Sequence, residues 1–213
     1  AWIATTYDPD TDKVIICYQN SNNSAYGTAV VGTISGSTMT FGTPVVFESG
    51  DTRFITAIYD TTNDKVVIAY RDANNSDYGT AVVGTVSGTS ISFGTPVVFE
   101  SLSTWYTSAA FDSNSGKVVI AYQRHTSPNM GAAIVGTVSG SSISFGSAVV
   151  FDVSDTDYQA ATFDSSNNKI IIAYRDSGNS DYGTAIVATV SGSSISFGSP
   201  TVFQSSAVEY ISI

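Results

Sequence analysis

Lys65-Val66-Val67-Ile68-Ala69-Tyr70-Arg71-Asp72 decides how this chain is read. The stretch is apolar almost without alternation, as a strand is when neighbouring layers cover both of its faces. It also recurs. KVIICYQN starts at Lys13, KVVIAYQR at Lys117 and KIIIAYRD at Lys169, so successive copies lie 52 residues apart. Phe41, Phe93, Phe145 and Phe197 keep the same period, as do Phe47, Phe99, Phe151 and Phe203, and Tyr18, Tyr70, Tyr122 and Tyr174. The copies run 2–53, 54–105, 106–157 and 158–209, and 210–213 starts a fifth. A fixed period of this length is the signature of a repeat architecture.

Within the second copy, turn signals separate four strand signals. Strand A is expected over Phe54–Tyr59 and strand B over Lys65–Arg71, joined by an Asp-Thr-Thr-Asn-Asp turn. Strand C is expected over Gly79–Val86 and strand D over Ser90–Phe99, joined at Ser87-Gly88, where glycine accepts the positive φ of a tight hairpin. Strand D carries Pro96, with Pro44 and Pro200 in register and Ala148 in the third copy. Proline cannot donate to a ladder, so D belongs at a sheet edge and B at the centre. Nothing reads as helix.

One such sheet has two apolar faces and needs neighbours. Four aromatic positions per copy, buried by stacking, contribute roughly 4–6 kcal/mol apiece as an upper bound. The expected fold is therefore all-β: a β-propeller of four-stranded antiparallel blades built from four 52-residue repeats, a single domain over 1–213. Trp2-Ile3 and Tyr210-Ile211 share one register and compete for one strand position. A closed four-bladed ring and an arc completed by further repeats or another subunit both remain open.

The bulk numbers exclude several functions. With 42% hydrophobic residues in 213, the chain can bury a core without staples. Its single cysteine, Cys17, rules out an internal disulfide framework, and no apolar run reaches membrane-span length. Eight basic residues against 18 acidic ones give a net charge of −10, which repels phosphate backbones, so no nucleic-acid partner and no membrane insertion are expected. The chain starts with Ala1-Trp2-Ile3, without an initiating Met or signal pattern, and enters a repeat directly, as expected of a processed protein or an excised segment.

Asn75-Ser-Asp77-Tyr-Gly79 and Asn179-Ser-Asp181-Tyr-Gly183 resemble a degenerate Asp-box, the Ser-x-Asp-x-Gly turn of sialidase-like propellers. Ala25 and Asn129 replace the aspartate in the other copies, and Val82 or Ile186 replaces the aromatic that follows the box. The resemblance implies a structural turn and imports no catalysis. The VSGTSISFG style of repeat is also similar to repeats of bacterial surface proteins and phage tail components, which implies an extracellular, cell-surface or virion location.

Strand direction alternates, so the A–B and C–D turns share one end of each blade and the B–C and D–A loops the other. The A–B turns hold seven aspartates against four lysines; the opposite rim holds eleven carboxylates against four arginines. That rim also varies most, with D–A links ESGDTR, ESLSTW, DVSDTD and QSSAVE. Varied loops on a rigid scaffold are where recognition sits, and unconstrained drift accounts for them equally well.

Candidate site residues follow. Arg71, Asp72 and Tyr78, with Arg175, Asp176 and Tyr182, can form two equivalent sugar pockets, an aromatic platform beside planar hydrogen-bonding groups; the competing reading is a local Arg71–Asp72 ion pair. Trp105, where the other links have Arg53, Asp157 and Glu209, is an exposed aromatic for a partner contact. Asp8, Asp10 and Asp12 resemble a calcium loop, but Lys13 stands where such loops have glycine, and Asx turns explain them better. Cys17 replaces Ala69, Ala121 and Ala173 and reads as a buried filler. His125, the only histidine, has no catalytic partner in the sequence and reads as a surface residue. Asn22 and Asn74 fit the glycosylation pattern. No catalytic or nucleotide-binding motif occurs, and no cofactor is expected. The function expected is a non-enzymatic module binding a glycan or protein through the acidic rim. A purely structural spacer in a larger fibre or ring is the second reading, and a sialidase-like glycoside hydrolase the third.

Overall fold

The computed structural model describes residues 2–212. It is all-β and antiparallel, with one short 3₁₀ turn at Ser177–Asn179 and no α-helix among the described residues. The first unit comprises β1 (Ile3–Asp8), β2 (Lys13–Asn20), β3 (Tyr26–Ser35), β4 (Thr38–Phe41) and the first half of β5 (Val45–Asp60). The second takes the rest of β5, then β6 (Lys65–Asp72), β7 (Tyr78–Ser87), β8 (Ser90–Phe93) and the first half of β9 (Val97–Asp112). The third takes the rest of β9, then β10 (Lys117–Arg124), β11 (Met130–Ser139), β12 (Ser142–Phe145) and β13 (Val149–Asp152). The fourth is β14 (Thr156–Asp164), β15 (Lys169–Asp176), β16 (Tyr182–Ser191), β17 (Ser194–Phe197) and β18 (Thr201–Ala207).

Pairing is the same in every unit. In the second, β6 pairs with β5 on one side and β7 on the other, and β7 carries both β8 and the start of β9. The apolar strand is thus central and the proline-bearing segment outermost. Two expectations change. The D strand is broken: Gly94-Thr95-Pro96 lies between β8 and β9, where proline withholds a donor and the Gly94 N–H turns back to the Val83 carbonyl (2.9 Å). The D–A links, expected as loops, are strand in the first two cases. In β9, Val97–Ser103 pairs with β7, and the same strand then passes to β10 from Thr104 onward. Serines, threonines and glutamates read as a turn, but pairing to two successive partners leaves them no freedom to loop. The third link leaves the strand at Val153–Asp155, and the fourth leaves it at Val208.

The A–B turns explain their aspartates. Asp60 Oδ1 accepts the Thr62 and Asn63 N–H groups (2.9 and 3.1 Å), and Asp8, Asp112 and Asp164 do the same in their units. Asp12, Asp64, Gly116 and Asn168 close these turns with φ of 54–63°, the region that Asp, Asn and Gly enter most readily.

The core lies between units. Val67, Ala69, Val83 and Phe99 of the second pack against Val118, Ile120, Tyr122 and Ile143 of the third, and equivalent residues meet at the other two junctions. One aromatic pair recurs: Phe47–Tyr70 at 5.3 Å, Phe99–Tyr122 at 5.3 Å and Phe151–Tyr174 at 5.2 Å. The tyrosine hydroxyls then donate to Glu48 (3.0 Å), Glu100 (2.9 Å) and Asp152 (2.9 Å) of the preceding unit. Each junction is therefore apolar with a recurring tyrosine-to-carboxylate hydrogen bond at its edge, which helps fix how far one sheet slides along the next.

Candidate functional site

At the rim end of the strands nearest the neighbouring units, each chain crossing is bulged. The β5–β6 register shifts between Arg53 and Thr56, and equivalent shifts occur in β9 and β14. Phe54, Tyr106 and Tyr158 sit at the bulges with φ of 49, 50 and 53°. Bulky aromatics in this left-handed region cost about 1–3 kcal/mol each, so surrounding contacts must hold them there. The bulges turn the rings into one row: Trp2–Phe54 at 4.2 Å, Phe54–Tyr106 at 5.0 Å, Tyr106–Tyr158 at 4.6 Å and Tyr158–Tyr210 at 4.9 Å between centroids. These are the same position in five successive copies.

Trp2, Phe54, Tyr106 and Tyr158 of the row line a cavity of about 190 Å³ together with Ile55, Thr107, Gln159 and Ile211. Gln159 is 6% exposed; its Nε2 donates to Thr156 Oγ1 (3.0 Å), while its Oε1 is buried without a partner. Burial and the neighbouring Tyr158 push the Tyr106 phenol above its ordinary value, so it stays a neutral donor. A second cavity, about 250 Å³ and lined by Ile58, Phe111, Phe163 and small neighbours, holds no titratable group.

Beside the row, Trp105 is half-buried rather than freely exposed. His125 stacks on it at 4.7 Å and 21°, its Nε1 donates to Ser103 Oγ (3.2 Å), and the Arg71 guanidinium lies 4.9 Å from its ring and 5.8 Å from that of Phe54. Arg71 pairs with Asp77 (2.6 Å), not Asp72, and Arg175 pairs with Asp181 (2.8 Å). The structure does not bring the expected sugar-pocket residues all together. Adjacent strand residues point to opposite faces, so Arg71 cannot converge with Asp72, nor Arg175 with Asp176. Asp72 caps the following turn through the Asn74 and Asn75 N–H groups (3.0 and 3.1 Å), with Tyr78 opposite it in the ladder, as Tyr182 is opposite Asp176. Asp176 accepts Ser154 Oγ (3.3 Å), and burial holds its carboxyl above the usual range.

Asp8, Asp10 and Asp12 diverge: Asp8 caps its turn, Asp10 accepts the Tyr59 hydroxyl (2.8 Å) and Asp12 that of Tyr7 (2.9 Å). Among the described residues no group of three or more carboxylate, histidine or cysteine side chains is placed to hold a metal. Cys17 is fully buried, and burial pushes its thiol up to about 12.

The acidic rim is less available than its charge count implies. Asp51 is held by Arg53 (2.5 Å) and Gln19 (2.8 Å), Glu100 by Tyr122 and Arg124, and Asp157 by Gln123 (2.8 Å) and Ser177 (2.7 Å). Sequence reasoning missed the aromatic row, although Trp2, Phe54, Tyr106, Tyr158 and Tyr210 keep the 52-residue period, because their side chains look like strand starts until a bulge turns them. No protein-family model matches the chain, and no curated protein matches its sequence. No helix among the described residues is long and apolar enough to cross a membrane.

Proposed function

We propose that the chain is a non-enzymatic glycan-binding module whose four units stand as blades of an open propeller arc, with the aromatic row at its axis as the ligand site. The observation that carries this reading is the cavity of about 190 Å³ walled by register-equivalent rings. Flat rings receive the C–H faces of a pyranose, and the unpartnered Gln159 Oε1 at the cavity wall accepts a sugar hydroxyl. A small aromatic-walled cavity with one buried acceptor suits a neutral sugar better than a charged one. The radial arrangement is supported by core packing confined to neighbouring units, by the outermost position of the proline-bearing segments, and by one cavity that draws on every copy.

The hydrolase reading lacks support: all four arginines are ion-paired with carboxylates, leaving none directed at a substrate acid. An extracellular or virion location accords with recognition of surface glycans. Isothermal titration with neutral hexose and N-acetylhexosamine oligosaccharides, chosen from a glycan array, tests the proposal. Binding is expected, and Tyr106→Ala or Gln159→Leu weakens it by roughly tenfold, the ~1.4 kcal/mol of one contact. An array without a binder, or unchanged affinity in both variants, contradicts it.

A further inference from the structure

The fourth unit ends in a face that the first three bury. Val187 and Phe203 are 48% and 58% exposed, whereas Val31, Val83 and Val135 are at most 1% exposed and Phe47 and Phe99 are buried. The first unit shows the opposite face. Ile3, Tyr7 and Phe41 are 67%, 50% and 55% exposed and Tyr18 is half-buried, while Ile55 and Tyr59 are buried and Tyr70, Tyr122 and Tyr174 are fully enclosed. Both faces are apolar, like the faces buried at the internal junctions.

A glycine says what belongs there. A Cβ on Gly42, Gly94 or Gly146 would overlap the carbonyl oxygen of Thr89, Ser141 or Ser193, at the hairpin of the following unit. Glycine is obligatory at those three positions because another backbone occupies the space. Gly198 is the fourth member of the series, yet the nearest atom to its Cβ position is the Val187 oxygen at 3.6 Å. The chain keeps glycine where only a docked unit requires it. In register with Thr89, Ser141 and Ser193, the residue that would fill that space is Ser37 of a first unit. The polar bond has its halves too: Gln204 stands in register with Glu48, Glu100 and Asp152 as acceptor, and Tyr18 with Tyr70, Tyr122 and Tyr174 as donor.

We propose that the fourth unit docks the first unit of a second copy of this chain, head to tail, repeating the internal junction. Gly198 lies against the Ser37 carbonyl, Phe203 packs on Tyr18, and the Tyr18 hydroxyl donates to the Gln204 amide oxygen. Such a contact is heterologous: it closes a ring or extends a filament, according to the rotation per unit. In register, the incoming Trp2-Ile3 takes the strand position that Tyr210-Ile211 hold beside Tyr158, so Tyr210-Ile211 move aside at the joint; the contact stands on the end faces and does not depend on the ligand reading.

Light scattering after size exclusion, across a concentration series of the 213-residue chain, tests this. The wild type is expected at multiples of the chain mass. Gly198→Val, which meets open space in the isolated chain, is expected to stay monomeric and folded, with strand circular dichroism retained and a melting temperature that no longer rises with concentration, and Phe203→Gln to behave the same way. Phe41→Asp blocks the other end, so mixing it with Gly198→Val is expected to give a single dimer that grows no further. A wild type monomeric at every concentration overturns the proposal, as does a Gly198→Val chain that assembles like the wild type.

Discussion

Single positions show how one residue type acquires different consequences around the repeat. Gly94→Ala drives a methyl group into the Ser141 carbonyl, and overpacking against backbone costs about 1–3 kcal/mol or more, whereas Gly198→Ala in the monomer stays within about 0.5 kcal/mol. Urea unfolding of the two variants gives the comparison directly. Glu48 behaves oppositely to an ordinary paired carboxylate. Burial pushes it above its ordinary value of 4.5, partly offset by the Tyr70 hydroxyl. Folding therefore favours its protonated form, and the charge penalises stability above the raised value and is relieved as pH falls through it. Glu48→Gln keeps an acceptor for Tyr70 and is expected to be at least as stable as wild type at pH 7, with that advantage shrinking on acidification, read from melting temperatures at pH 4 to 8. Arg71 and Asp72 illustrate a local misreading with a simple cause: neighbours in sequence suggested an ion pair, while the two-residue period of a strand sends them to opposite faces. Asp77, six residues on, was legible only once the turn brought it back.

Strands inherit their stability from what covers them. The apolar run that starts at Lys13, Lys65, Lys117 and Lys169 announced its central place because no alternation remains when both faces are packed. Ile120 in β10 is completely enclosed, and Ile120→Ala is expected to cost about 2–5 kcal/mol. Ile16, its counterpart in β2, is half-covered, so Ile16→Ala is expected to cost distinctly less in the monomer; denaturant midpoints at constant m-value check the difference. Cys17 on the same strand points into the first junction, and its raised thiol is expected to resist a disulfide-exchange reagent until the strand opens, with labelling following global unfolding. The D–A links were the least legible elements. Polar composition argued for loops, but pairing first to one sheet and then to the next makes β5 and β9 continuous, and the bulges they carry produce the aromatic row that no single copy displays.

Across the whole molecule, the 52-residue period carried the strand content and the gluing role of the aromatics, because each recurs at a constant offset. Charge counting carried less: the rim's carboxylates are mostly occupied by Tyr, Arg, Gln and turn N–H groups, which composition cannot report. A single unit here is one sheet without a second layer, so cohesion resides in three internal junctions, and unit two and unit three, covered on both sides, should be the last to open. Native-state hydrogen exchange on the monomeric Gly198→Val chain measures this most directly. Amides of β6 and β10 are expected to exchange slowest, with β2 and β15 opening earlier from the uncovered ends; uniform protection across the four units, or faster exchange in β6 and β10 than in the end units, would contradict stacking as the force that holds the chain together.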